Sequence, residues 1–204
     1  MKKAFFVACL IGATTTANAQ STGSVNEGII SIPEPTGAPS PTATLNHEGQ
    51  ISTFYGGQAL NEAHAKAVNG DIITLSAGIF SNDTYDPITK AITIRGTGFG
   101  INTDGTVKQS TPVTVLVGGT EIRLHSGGQL TIEGIKFDYM PTIGDYSADD
   151  VPGNVQFVKC LFANGFRGES DSTSISIISC VVDSNNLDIE RYTPFSAISG
   201  SMSI

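Results

Sequence analysis

The amino-acid sequence predicts an all-β fold, a parallel β-helix entered through one short helix. Three observations carry this. Only 15% of the 204 residues are charged and 23 are glycine, a turn-rich composition that favours strands. From Asp71 onward, short alternating runs such as AITIRGTG, VTVLVGG and EIRLHSGG are separated by glycine or polar turns. One pattern also recurs. In VQFVKCLFANG (155–165), Phe157, Cys160 and Phe162 occupy the positions that Ile177, Cys180 and Val182 hold in ISIISCVVDSN (175–185). Ile132, Ile135 and Phe137 hold the same positions in LTIEGIKFDYM (130–140).

At the N-terminus, Lys2 and Lys3 precede the apolar run Ala4 to Ala13 and then TTTANA, which together read as a secretory signal over residues 1–19 with cleavage after Ala19. The mature chain then begins at Gln20 and is secreted or held at the cell surface. A lipoprotein reading of Cys9 competes, but cleavage there leaves too short an apolar run. No other segment approaches the roughly 18 apolar residues of a membrane span. Loss of Lys2 and Lys3 leaves 9 basic residues against 19 acidic ones, a net charge near −10. Phosphate binding needs a basic surface, so nucleic acid is excluded as a partner class.

Residues 20–50 contain SIPEPTGAPSPTATLNHEGQ and read as a Pro/Ser/Thr-rich linker, because such a stretch buries too little apolar surface to offset its ordering entropy. The alternative is an ordered arm along the domain. The folded domain is expected over 51–204. Its helix lies in GGQALNEAHAKAVNGD, where Leu60, Ala63, Ala67 and Val68 recur at helical spacing over about three turns and Gly70 stands at the C-terminal cap.

Each later repeat alternates, skips one residue and resumes, with the bend at Gly134, Lys159 and Ser179 in turn. Two short strands meeting at a corner every 20 to 25 residues are what one coil of a parallel β-helix requires. Stacking at about 4.8 Å then places Ile135, Cys160 and Cys180 in one inward ladder. Buried free thiols suit that ladder. A disulfide is the competing state, since secretion permits one, although neighbours about 4.8 Å apart exceed the Cβ separation of a relaxed bridge.

The stretches GGQALNEAHAKAVNGDIITLSAGIF, ITKAITIRGTGFG and GGQLTIEGIKF resemble the cap helix and first coils of the pectin lyase-like proteins secreted by bacteria, over roughly residues 52 to 190. The resemblance implies a right-handed helix. It leaves activity open, because that superfamily holds polysaccharide lyases, glycoside hydrolases, epimerases and noncatalytic surface modules.

A lyase of this type needs carboxylates holding calcium and a basic residue, and a hydrolase needs a close carboxylate pair. The outward strand positions carry neither: they read Thr131, Glu133, Lys136, Asp138, then Gln156, Val158, Leu161, then Ser176, Ile178, Val181. The loops are richer. Asp145, Tyr146, Asp149 and Asp150 lie in one, Arg167, Glu169 and Asp171 in the next, and Arg191 and Tyr192 in a third. Stacked coils would send these loops from one edge, forming a groove suited to a polysaccharide, with calcium bridging an acidic one. Solvated acidic loops are the plainer account.

His47, His64 and His125 have no metal-ligand spacing around them, and GTGFG (96–100) lacks the Lys-Ser/Thr of a phosphate loop and reads as a corner. Two functions follow: a secreted, noncatalytic surface or adhesive module contacting carbohydrate through its acidic loops, or a polysaccharide lyase or glycoside hydrolase. The tail LDIERYTPFSAISGSMSI shows neither a helical stripe nor a long strand and makes a weak cap. That predicts further coils beyond Ile204 or self-association through the C-terminal coil.

Overall fold

A computed structural model describes residues 40–82, 86–103, 108, 112–125, 127–144, 151, 153–169, 173–182, 187–189 and 195–198. All of them belong to one unit, Gly37–Ile204. The expected signal at 1–19 and most of the expected linker lie outside the described residues.

The chain opens with β1 (Thr42–His47) and β2 (Gln50–Tyr55), then α1 (Ala59–Lys66), β3 (Ile72–Leu75), β4 (Gly78–Ser81), β5 (Thr93–Arg95), β6 (Thr114–Val117) and β7 (Glu121–Ile122). There follow β8 (Gln129–Glu133), β9 (Ile135–Phe137), β10 (Thr142–Gly144), β11 (Asn154–Val158), β12 (Leu161–Phe162), β13 (Phe166–Glu169), β14 (Ser174–Ile178), β15 (Val181–Val182), β16 (Leu187–Ile189) and β17 (Phe195–Ile198). They form three sheets. The first has the order β17-β14-β11-β8-β5-β3-β1-β2, the second β15-β12-β9-β6-β4 and the third β16-β13-β10-β7.

The expected right-handed parallel β-helix of two-strand coils is therefore corrected: the described strands form three sheets, mixed and parallel. The mixed character comes from the start of the chain, where β1 pairs antiparallel with both β2 and β3. Its cause is local. Glu48 and Gly49 form a two-residue turn with φ of 49° and 85°, the geometry of a tight hairpin whose strands must run antiparallel. The Gly49 N–H donates to Asn46 Oδ1 at 2.9 Å and fixes that turn. β1 thus lies inside the stretch read as linker, and the helix read as the N-terminal cap follows a hairpin instead of opening the domain.

The helix is also shorter than its spacing predicts. It spans 8 residues and buries Ala59, Leu60 and Ala63, while Val68 lies beyond its end and is 50% exposed. Lys90 Nζ donates to the Ala65 carbonyl at 3.1 Å, placing a cation on the last turn, where the helix dipole favours one.

The repeated segments pair in the register that their alignment implies. Phe157 stands between Ile132 and Ile177, and Phe162 between Phe137 and Val182. Between them, Lys159 and Ser179 adopt φ of 51° and 53°, beside Gly134 at 66°. The skipped residue is a left-handed bend, tolerated at non-glycine positions because strands on both sides hold it. The core sits where the three sheets face one another. Phe157 from the first sheet lies edge-on to Phe137 and Phe162 of the second, at 5.7 and 5.1 Å, and Phe166 of the third lies 5.6 Å from Phe162. Each such ring contributes about 1.5–3 kcal/mol by burial.

Candidate functional site

The cysteine question is settled by placement. Cys160 and Cys180 are free and buried on successive repeats, and the Cys160 N–H donates to Cys180 Sγ at 3.3 Å. Burial pushes the Cys160 thiol well up, so it is held protonated; it points at the Ile132 carbonyl at 3.4 Å. These thiols are packing groups.

The groove expected from the loops is only partly within the described residues. Asp145, Tyr146, Asp149, Asp150, Asp171, Arg191 and Tyr192 lie outside them. Arg167 and Glu169 are not loop residues: they alternate on β13, pointing away from the core residues Phe166 and Gly168. Arg167 Nε meets Glu169 Oε1 at 2.7 Å. Sequence reading missed this strand because FRGE mixes charges with a glycine and shows no apolar alternation.

On the same sheet, two strands away, Arg123 Nη2 meets Glu121 Oε1 at 2.6 Å. The register sets Glu121 and Arg167 on either side of Thr142, so the two ion pairs run in opposite sense. Strand spacing and rise put the Glu121 and Glu169 backbones about 12 Å apart. Each carboxylate is neutralised by its own guanidinium. This face is built to present alternating charge.

A second arrangement lies at the corner of the first sheet. A cleft of about 700 Å³ is lined by Arg95, Thr97, Phe99, Glu133 and Lys159 around Gly96, Gly98 and Gly134. Arg95 and Glu133 are directly opposite on β5 and β8, with Arg95 Nε 3.4 Å from Glu133 Oε2, and both remain substantially exposed. The glycines have a packing reason. A Cβ on Gly96 would meet the Gly134 carbonyl at 2.5 Å, and one on Gly134 would meet the Gly98 nitrogen at 2.9 Å. The GTGFG run is thus a shelf made by close backbone approach. Sequence reading placed it at a corner but saw no site there. The signal available was that Arg95, Glu133 and Lys159 fall at related positions of successive repeats.

Beyond the cleft, one row across the outer face of the first sheet is a polar ladder. Thr93, Thr131, Gln156 and Ser176 stand opposite one another in successive strands. The Gln129 side-chain amide donates to Thr131 Oγ1 at 3.0 Å and to Gln156 Oε1 at 3.3 Å.

His64 and His47 make structural contacts. His64 Nε2 accepts the Thr89 N–H at 3.2 Å, and burial, reinforced by Lys90, lowers its pKa to about 4. His47 Nδ1 lies 2.8 Å from Asp71 Oδ1, and Asp71 Oδ2 accepts the Val68 N–H at 2.8 Å. The bond to Asp71 raises the His47 pKa. Burial works to raise that of Asp71, but the Val68 N–H and His47 together outweigh it and hold it low. This pair ties the hairpin turn to the segment entering β3. Among the described residues, no group of three or more His, Cys, Asp and Glu is placed to hold a metal ion, and no helix is long and apolar enough to cross a membrane.

No family model, curated protein or solved structure matches the chain, so the pectin lyase-like resemblance rests on its quoted motifs alone.

Proposed function

We propose that this protein is a secreted or cell-surface module that contacts carbohydrate without turning it over. The observation that supports it best is the cleft at Arg95, Glu133 and Lys159. Arg95, Glu133 and Lys159 line it around a glycine shelf with Phe99, and Glu133 shares the outer face of β8 with Thr131 and Gln129, which bonds to Gln156. Hydroxyl and amide ladders satisfy sugar hydroxyls, and a cleft with a few convergent polar groups is how small-ligand sites are built. Arg95 and Lys159 give this cleft a local positive balance on an acidic chain, which suits a glycan carrying carboxylates. The secreted placement rests on the N-terminal signal.

Affinity electrophoresis of the mature protein in gels containing polygalacturonate, alginate or a neutral glycan tests the reading. Retardation by an acidic glycan is expected, weakened at least about tenfold in an Arg95→Ala, Lys159→Ala variant, with no release of unsaturated uronate or new reducing ends. Turnover of any of these polymers would replace the module with a lyase or hydrolase. Equal retardation of the variant would remove the cleft from the account.

A further inference from the structure

We propose that two copies of this chain pair edge to edge through β2, antiparallel about a two-fold axis at Thr53, so that the first sheet runs on from one molecule into the next. The inference is independent of the carbohydrate reading.

β2 is the last described strand of its sheet and has one neighbour, β1. The hairpin turn dictates which of its backbone groups remain unpaired. His47 and Gln50 close a two-residue turn, so Gln50, Ser52 and Phe54 exchange hydrogen bonds with β1. The N–H and C=O groups of Ile51, Thr53 and Tyr55 therefore point outward from the sheet edge.

Edge strands are ordinarily protected by charge, proline, a bulge or a covering element. QISTFY contains no charged residue and no proline, and pairs with β1 without interruption over all six residues. It is exposed almost throughout, with Ile51 60% and Tyr55 69% exposed, while Phe54, on the opposite face, packs against the core. On a chain of net charge −8, this edge offers an approach free of like-charge repulsion.

The occupant follows from symmetry. If Thr53 lies opposite the partner's Thr53, then Ile51 lies opposite the partner's Tyr55, and Tyr55 opposite the partner's Ile51. All three pairs join residues whose backbone groups point outward, so every one of those groups finds its complement. The same register sets Ile against Tyr twice on the exposed face, flanking a Thr–Thr pair, both favoured cross-strand combinations. Within the paired strands no like charges meet, because QISTFY carries no charged residue.

Sedimentation of the mature chain over a concentration series tests this. A monomer–dimer equilibrium is expected. Thr53→Pro removes an N–H that β1 does not use, and Thr53→Lys and Thr53→Glu each place like charges on the axis. Each of the three should raise the dissociation constant at least about tenfold while circular dichroism stays unchanged. Mixing Thr53→Lys with Thr53→Glu should restore association as a heterodimer. A chain that stays monomeric at every concentration overturns the proposal. So does a dimer that all three variants leave intact, which would place the contact elsewhere, for example at the C-terminal end.

Discussion

The β8-β11-β14 ladder and the β1-β2 hairpin belong to one sheet, yet they are stabilised differently. In the ladder, every strand has a parallel neighbour on both sides and delivers its inward residues to a core shared by all three sheets. Leu130, Ile132, Val155 and Phe157 are each 0% exposed. In the hairpin, the order comes from the Glu48–Gly49 turn, and only β1 and Phe54 reach the core. A strand between two others is held by its partners, whereas an edge strand is held by its turn and by whatever covers it.

The largest expected effect breaks the ladder. Phe157→Ala removes a ring that touches Phe137 and Phe162, and should cost about 3–5 kcal/mol, read as a shift of the denaturant midpoint at constant slope. Tyr55→Ala in the hairpin, measured in the monomeric state, should stay within about 0.5 kcal/mol. Comparable losses at the two sites would show that the hairpin is part of the cooperative core.

Gly96→Ala tests the shelf at an intermediate scale. Its new methyl would press on the Gly134 carbonyl and the Thr114 and Ile135 side chains, and should cost about 1–3 kcal/mol by overpacking. An unchanged midpoint would mean that the corner yields freely.

A further effect is graded with pH. His64 is neutral when folded until its pKa of about 4, whereas in the unfolded chain it takes up a proton near 6.5. Its contribution is present in full above pH 6.5 and declines as the pH falls from there towards 4, with a slope that approaches about 1.4 kcal/mol per pH unit. His47 acts in the opposite sense. Its raised pKa gives stability that is present below 6.5 and lost as the pH rises through the folded value. The depressed Asp71 contributes above its ordinary value of 3.8 and loses that as the pH falls through its folded one. Stability of the wild type and of His64→Gln across pH 4–7 separates these. The wild-type slope should shrink in the variant, and an equal slope in both would assign it to other groups.

Local periodicity determined the strands that bury one face. The inward positions 132, 135 and 137 and their equivalents were legible because alternation of apolar and polar residues is a property of consecutive side chains. The bends at Gly134, Lys159 and Ser179 were legible as a skipped beat. Burial of both cysteines followed from their place in that pattern.

Only the tertiary structure decided the rest. β10, β13 and β17 carry too few residues, or too many charged ones, for alternation to mark them; they are strands because neighbours already in place offer them hydrogen bonds. The antiparallel start depends on two positive φ angles at Glu48 and Gly49, which Pro- and Thr-rich surroundings obscured. The clustering of Arg95, Glu133 and Lys159 joins residues from three separate repeats. Sequence specifies which face of a strand turns inward, but which outward side chains become neighbours is set by the register between strands, a property no single segment contains.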